Sequence, residues 1–220
     1  MVMDAPTAMR TDTAVLTLSQ WFSPAFPIGA FAYSHGLEWA IESGDVNCAA
    51  KLADWTQDAL EHGAGWNDAL FIAASYQTAD PLTLDQTCRA FAASRERLKE
   101  TTLQGAAFCD TVSAIWNIQL SELTYPIAAG QAARLCNMPL ELTTQMYLHA
   151  FVSSLISVGI RLIPLGQTDG HRLIRQITPL CADIAKRTTH GDLDHLTATA
   201  FLTDIAAMNH ETQYARVFRT

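Results

Sequence analysis

Apolar residues recur at three- and four-residue spacing along most of the chain, and strict alternation with polar residues is nowhere sustained over a strand length. This is the signature of helices presenting one face to a core. Punctuation residues bracket the expected helices. The first covers about 14–22 and runs into Ser23-Pro24; the second follows Ser34 as N-cap and stops at Ser43-Gly44. A third, over 47–62, places Leu52, Trp55, Ala59 and Leu60 on one stripe and ends at Gly63, and a fourth covers about 66–77. Asp80-Pro81 opens a fifth through Ala93, followed by helices over about 94–118 and 125–135 and a long one from Met138-Pro139 to 158 or 163. A helix from His171 is expected to kink or break at Pro179, 190–194 reads as a loop, and the last helix covers about 196–212. The expectation is an all-α, single-domain bundle of about ten helices over residues 14–220, with residues 1–13 as a flexible tail.

Composition narrows the functional classes. The 220 residues carry 14 Lys+Arg against 22 Asp+Glu, a formal charge of -8, and show no segregated basic run, which argues against a nucleic-acid partner. A hydrophobic share of 49% with 16% charged is rich for a monomer of this size and points to assembly with other chains. The N-terminal stretch has no apolar core of a signal peptide, and the most apolar run, 150–160, is too short to span a bilayer, so a cytoplasmic protein is expected. Five cysteines at wide spacing, without a C-x-x-C pair, read as reduced buried thiols.

Catalytic signatures are mostly missing. There is no G-x-x-x-x-G-K-[ST] loop to cradle nucleotide phosphates. Ala32-Tyr33-Ser34-His35-Gly36 falls one residue short of a nucleophile elbow, which also requires a strand before it; a helical serine hydrolase using Ser34 is the alternative enzyme reading. His210-Glu211 lacks the second histidine of a zincin helix, and His190 and His195 flank a Gly-Asp loop that is at most a weak metal site. Direct binding of a divalent metal by His190, His195 or His210 is a further alternative, but no metal ligand and no cofactor is assigned.

Three stretches stand out instead. The window SPAFPIGAFAYSHGLEW, residues 23–39, crowds Pro, Gly and aromatic residues ahead of a helix start. The segment RLIPLGQTDG, 161–170, ends in a turn leading into a helix N-terminus, whose unpaired N–H groups serve as a cap or face a partner. The tail HETQYARVFRT, 210–220, keeps Tyr214, Val217 and Phe218 among arginines, a composition that binding hot spots favour; the alternative is a tail folded back onto its own core.

Together, in this order and spanning Leu16 to the C-terminus, these stretches resemble the UreF family of urease accessory proteins. The resemblance implies an all-α, non-catalytic protein that acts in nickel insertion into urease. It implies a homodimer that binds the accessory protein UreD (UreH in some species), recruits and regulates the GTPase UreG, and serves the urease apoprotein. By matched position, Phe31 and Tyr33 are the GTPase-facing candidates, with Ser34, Gly36 and Glu38 supporting and Arg161, Gln167, Asp169 and Gly170 around the same region. His210, Tyr214, Arg216 and Phe218 belong to the tail that resembles a segment ordered on UreD. Leu37, Trp39 and Ile41 are expected to pack inward and Phe31 and Tyr33 to point outward, with the boundary near Ser34. His171 stands where the family commonly has glutamine.

Overall fold

The computed structural model describes residues 11–219, and among them the chain is all helix and loop. The α-helices are α1 (Thr11–Trp21), α2 (Leu37–Glu42), α3 (Ala49–Glu61), α4 (Ala64–Gln77), α5 (Leu82–Ala90), α6 (Arg95–Trp116), α7 (Tyr125–Leu135), α8 (Leu140–Leu162), α9 (Gln167–Arg187) and α10 (Phe201–His210). Short 3-10 turns occupy Ala30–Ala32 and Leu193–His195. Of the expected N-terminal tail, residues 1–10 lie outside the described residues, whereas residues 11–13 belong to α1.

α7 is the centre of the bundle. Its sequence YPIAAGQAARL is apolar or small on every side, so it needs neighbours all round, and every residue from Tyr125 to Ala133 is buried. α4 and α6 pack along it, while α8 lies lengthwise on α9. The small residues let backbones approach closely: a Cβ built on Gly130 would sit 2.4 Å from the Ile72 carbonyl oxygen of α4. Around α7, Trp21, Phe26, Phe108, Tyr125 and Tyr147 meet in edge-on and tilted contacts with centroids 5.0–5.7 Å apart, the arrangement the ring quadrupole favours.

Three boundaries differ most from those expected, and the first is α2, which opens at Leu37 with Gly36 in the left-handed region at its N-cap in place of Ser34. α9 opens at Gln167 and continues through Pro179, whose side lies exposed, so the carbonyl of Arg175 that loses its amide partner belongs to the solvent side of the helix. The last helix starts at Phe201, five residues after Leu196, because the intervening chain is tied down in extended form. Asn67 brackets Thr197, accepting from its N–H at 2.9 Å and donating to its carbonyl at 2.7 Å, and the Ala200 N–H donates to the His62 carbonyl at 3.1 Å. Those ties come from α4 and the end of α3, more than 100 residues away, where helical periodicity has no view. Cys48 is exposed at the N-cap of α3, against the expectation of buried thiols, while Cys88, Cys109 and Cys181 are buried. No helix among the described residues is long and apolar enough to cross a membrane.

Candidate partner-binding site

The loop from Ser23 to Gly36 is shaped by alternate anchoring. Phe26 and Ile28 are buried in the bundle, Gly29 takes a positive φ of 73°, and the chain then makes the 3-10 turn Ala30–Ala32. The turn lifts Phe31 into solvent, where it is 63% exposed. Tyr33 behaves differently from the expectation: it is extended (φ -123°, ψ 135°), which rotates it inward, and it is only 5% exposed. Its ring lies beneath the C-terminal tail; burial pushes the hydroxyl above its ordinary range, Glu100 adds to that, and the Arg219 guanidinium that hydrogen-bonds it pulls the other way. The inside–outside boundary therefore falls between Ala32 and Tyr33. Leu37 is buried as expected, and Trp39 and Ile41 are half-buried against the core.

Ser34 is fully buried, with its Oγ accepting from the Glu38 N–H at 3.4 Å. No strand precedes it among the described residues, so neither the access nor the geometry of a nucleophile elbow is present. Gly36 has a φ of 77°, and a Cβ there would stand 2.5 Å from the Ala207 nitrogen of α10. It is a close-approach residue that seats α2 against α10, not an exposed contact.

Glu38 is the anchor of the tail. Buried on α2, it accepts from the Val217 N–H at 2.6 Å and the Phe218 N–H at 2.9 Å, and faces His210 Nε2 at 3.1 Å. His210 is fully buried, and its Nδ1 faces Glu96 at 2.6 Å. Arg216 donates to the other oxygen of Glu96 at 2.7 Å, and the Arg219 N–H donates to the Ala32 carbonyl at 2.6 Å. Gln213 donates to Glu42. Phe218 is 4% exposed, with the Arg161 guanidinium stacked 4.6 Å from its ring centroid. The described tail is thus folded back onto its own core. His210 and Phe218 are interior residues, because the core supplies apolar cover for the ring and carboxylates for the imidazole; Tyr214 stands fully in solvent and Arg216 is exposed.

The structure brings together residues 31–38, Arg161 and residues 210–219, but the second stretch divides. Gln167 and Asp169 open α9, with Asp169 held by Arg172 at 2.5 Å, and Gly170 is buried with its Cα against Ile160 of α8. None of the three lines the cavities beside Phe31 and the tail. His195 pairs with Asp192 at 3.1 Å on the loop after α9, His190 is exposed on the same loop, and His171 is exposed on α9.

Beneath this surface lies a polar cluster that sequence reasoning missed. Arg97 of α6 donates to Asp68 of α4 at 2.8 Å and lies 3.3 Å from Glu100, which His35 Nε2 approaches at 3.1 Å; Tyr147 donates to Asp68 at 2.7 Å. Burial pushes the Asp68 carboxyl up, with Arg97 and Tyr147 opposing. Burial would lower the Arg97 guanidinium, but Asp68 and Glu100 outweigh it and hold it charged. Cavities of about 300 and 250 Å³ lie on either side, both walled by His35, Arg97, Glu100 and Phe151. These partners come from helices 29 to 79 residues apart in sequence, and only Arg97 and Glu100, at i,i+3 on α6, carry a local signal.

Comparison with known proteins bears on this arrangement. The model of the UreF family matches residues 46–178. A protein of Ruegeria pomeroyi called urease accessory protein UreF is 54% identical over 216 residues, covering 97% of this chain and 100% of its own length. Proteins of the same name from Roseobacter denitrificans (50% identical, 96% of each chain) and Rhodopseudomonas palustris (41% identical, 98% of this chain and 95% of its own) are similar throughout. The family match lies between the aromatic loop and the tail, whereas these relatives cover 96–98% of this chain.

Proposed function

The chain belongs to the UreF family of urease accessory proteins, and from that premise we propose that it is a non-catalytic factor in urease maturation working through protein–protein contacts. It dimerises, binds UreD (UreH), recruits and regulates the GTPase UreG, and so assists delivery of nickel to the urease apoprotein in the cytoplasm; nickel is cargo of the complex, and this chain needs no cofactor of its own.

The observation that carries the reading is the convergence of the aromatic loop, Arg161 and the tail on one face: Arg219 bonds the backbone of Ala32, Arg161 stacks on Phe218, and Phe31 stands free beside them. An exposed aromatic on a loop fixed at both ends is pre-organised, so little ordering cost opposes its burial by a partner. In the proposed division of labour Phe31 faces the GTPase, supported by Glu38 and Arg161 from beneath, and Tyr214 and Arg216 face UreD. Gln167 and Asp169 contribute from the separate surface at the start of α9. The direct test is co-elution of the purified chain with UreD and UreG on size exclusion: a stable complex containing all three is expected, and absence of any complex with either partner sinks the reading.

A further inference from the structure

Between α6 and the end of the tail runs a groove of about 640 Å³ whose walls are basic. It is lined by Arg95, Lys99, Leu103, Arg216, Val217 and Arg219, so four of the 14 basic residues of a chain with net charge -8 gather in one place. Two carboxylates, Glu96 and Glu211, line it as well, and both are already engaged. Glu96 pairs with His210 and Arg216 at 2.6 and 2.7 Å, and Glu211 accepts from the Arg95 N–H at 2.8 Å while its other oxygen stands 3.6 Å from the Arg95 guanidinium. Lys99 and Arg219 have no ion pair among the described residues, and Arg219 bonds the Tyr33 hydroxyl.

Shape distinguishes the occupant. Arg95, Lys99 and Leu103 follow one another at i, i+4 and i+8, one stripe of α6 about 12 Å long at 1.5 Å per residue. A single anion fills only a fraction of that length, whereas an extended chain covers it with about four residues. Leu103 and Val217, 45% and 63% exposed, interrupt the charges with apolar surface. We infer that this groove is a docking site for an acidic, extended segment of a partner protein, with carboxylates on Lys99 and Arg219 and alternate apolar side chains on Leu103 and Val217. The inference goes beyond the family reading, since it specifies a ligand chemistry without requiring any named partner.

The test uses the full chain and a short fluorescein-labelled peptide alternating glutamate with leucine, beside its lysine–leucine counterpart, followed by fluorescence anisotropy. The acidic peptide should bind, the basic one should not, and affinity should fall between about 50 and 300 mM salt as exposed ion pairs are screened. The double variant Lys99→Glu, Arg219→Glu, whose exposed positions leave the helical circular dichroism unchanged, should bind at least about tenfold more weakly, because attraction becomes repulsion at both contacts. Equal binding of the two peptides, or undiminished binding by the variant, overturns the proposal. Full displacement by inorganic phosphate would replace it with a single-anion site, and salt-sensitive self-association lost in the variant would identify a second copy as the occupant; either result overturns it. Because the peptide assay contains no urease protein, its failure leaves the family reading standing, and failed co-elution with UreD and UreG leaves the groove standing.

Discussion

Phe31 and Tyr33 are two residues apart and read alike in sequence, yet one is 63% exposed and the other 5%. The difference arises because Tyr33 leaves the 3-10 turn in extended conformation and passes beneath a tail whose Arg219 bonds its hydroxyl from the far end of the chain. Substitution separates them. Phe31→Ala should change stability by no more than about 0.5 kcal/mol while weakening GTPase recruitment by about tenfold or more. Tyr33→Ala should cost about 3 kcal/mol of folding stability through lost packing. Urea unfolding followed by circular dichroism, paired with a binding titration against UreG, measures both; equal stability of the two variants would contradict the burial argument. Thiols add a second residue-scale expectation. Cys48 is exposed, whereas burial pushes Cys88 up to about 12 and Cys109 and Cys181 up to about 11. In the native protein at neutral pH, Cys48 should react with a chromogenic disulfide within minutes and these three only on unfolding, since the thiolate is the reactive form.

At the scale of elements, the contact between α2 and α10 depends on Gly36. Its φ of 77° and the 2.5 Å approach of the Ala207 backbone leave no room for a methyl group. Gly36→Ala should destabilise by about 2 kcal/mol or more, through backbone strain and displacement of α10 together. A lowered thermal midpoint checks this, with Gly29→Ala as control, because a Cβ there meets nothing within 4 Å and only the strain remains. The tail is an element in its own right although it has no regular structure: its order comes from Glu38, Glu96 and Arg161 on three different helices. Ending the chain after Gln213 removes Phe218 and both amides that Glu38 accepts. Amide exchange over residues 30–38 should then rise by an order of magnitude or more, about 1.4 kcal/mol of lost local protection, and UreD binding should weaken. Unchanged exchange would show that the loop holds its shape without the tail. The helices themselves were legible from periodicity and punctuation, although α2 is capped by Gly36 and not by the expected Ser34. Where the chain departs from that reading, at 196–200 and at Pro179, the cause is a distant side chain or a solvent-facing position rather than local propensity.

For the whole molecule, helical apolar periodicity without sustained alternation was enough to indicate a helical bundle, because amphipathic helices can bury their faces only against one another. The three unusual stretches were enough to indicate the family, and relatives that align over nearly the whole chain agree. Which residues within those stretches face solvent was not legible. Glu38 reads as an ordinary helix-surface carboxylate until His210 and the Val217 and Phe218 amides arrive, and Gly170 reads as a turn residue until Ile160 covers it. The buried set Asp68, Arg97, Glu100, His35 and the basic groove along α6 likewise exist only once helices distant in sequence are packed together. Local sequence determines where helices form and which residues are available, since those depend on neighbours within a turn or two. Tertiary structure decided which of these residues are core, anchor or surface, since burial and charge pairing depend on chains that meet only after folding.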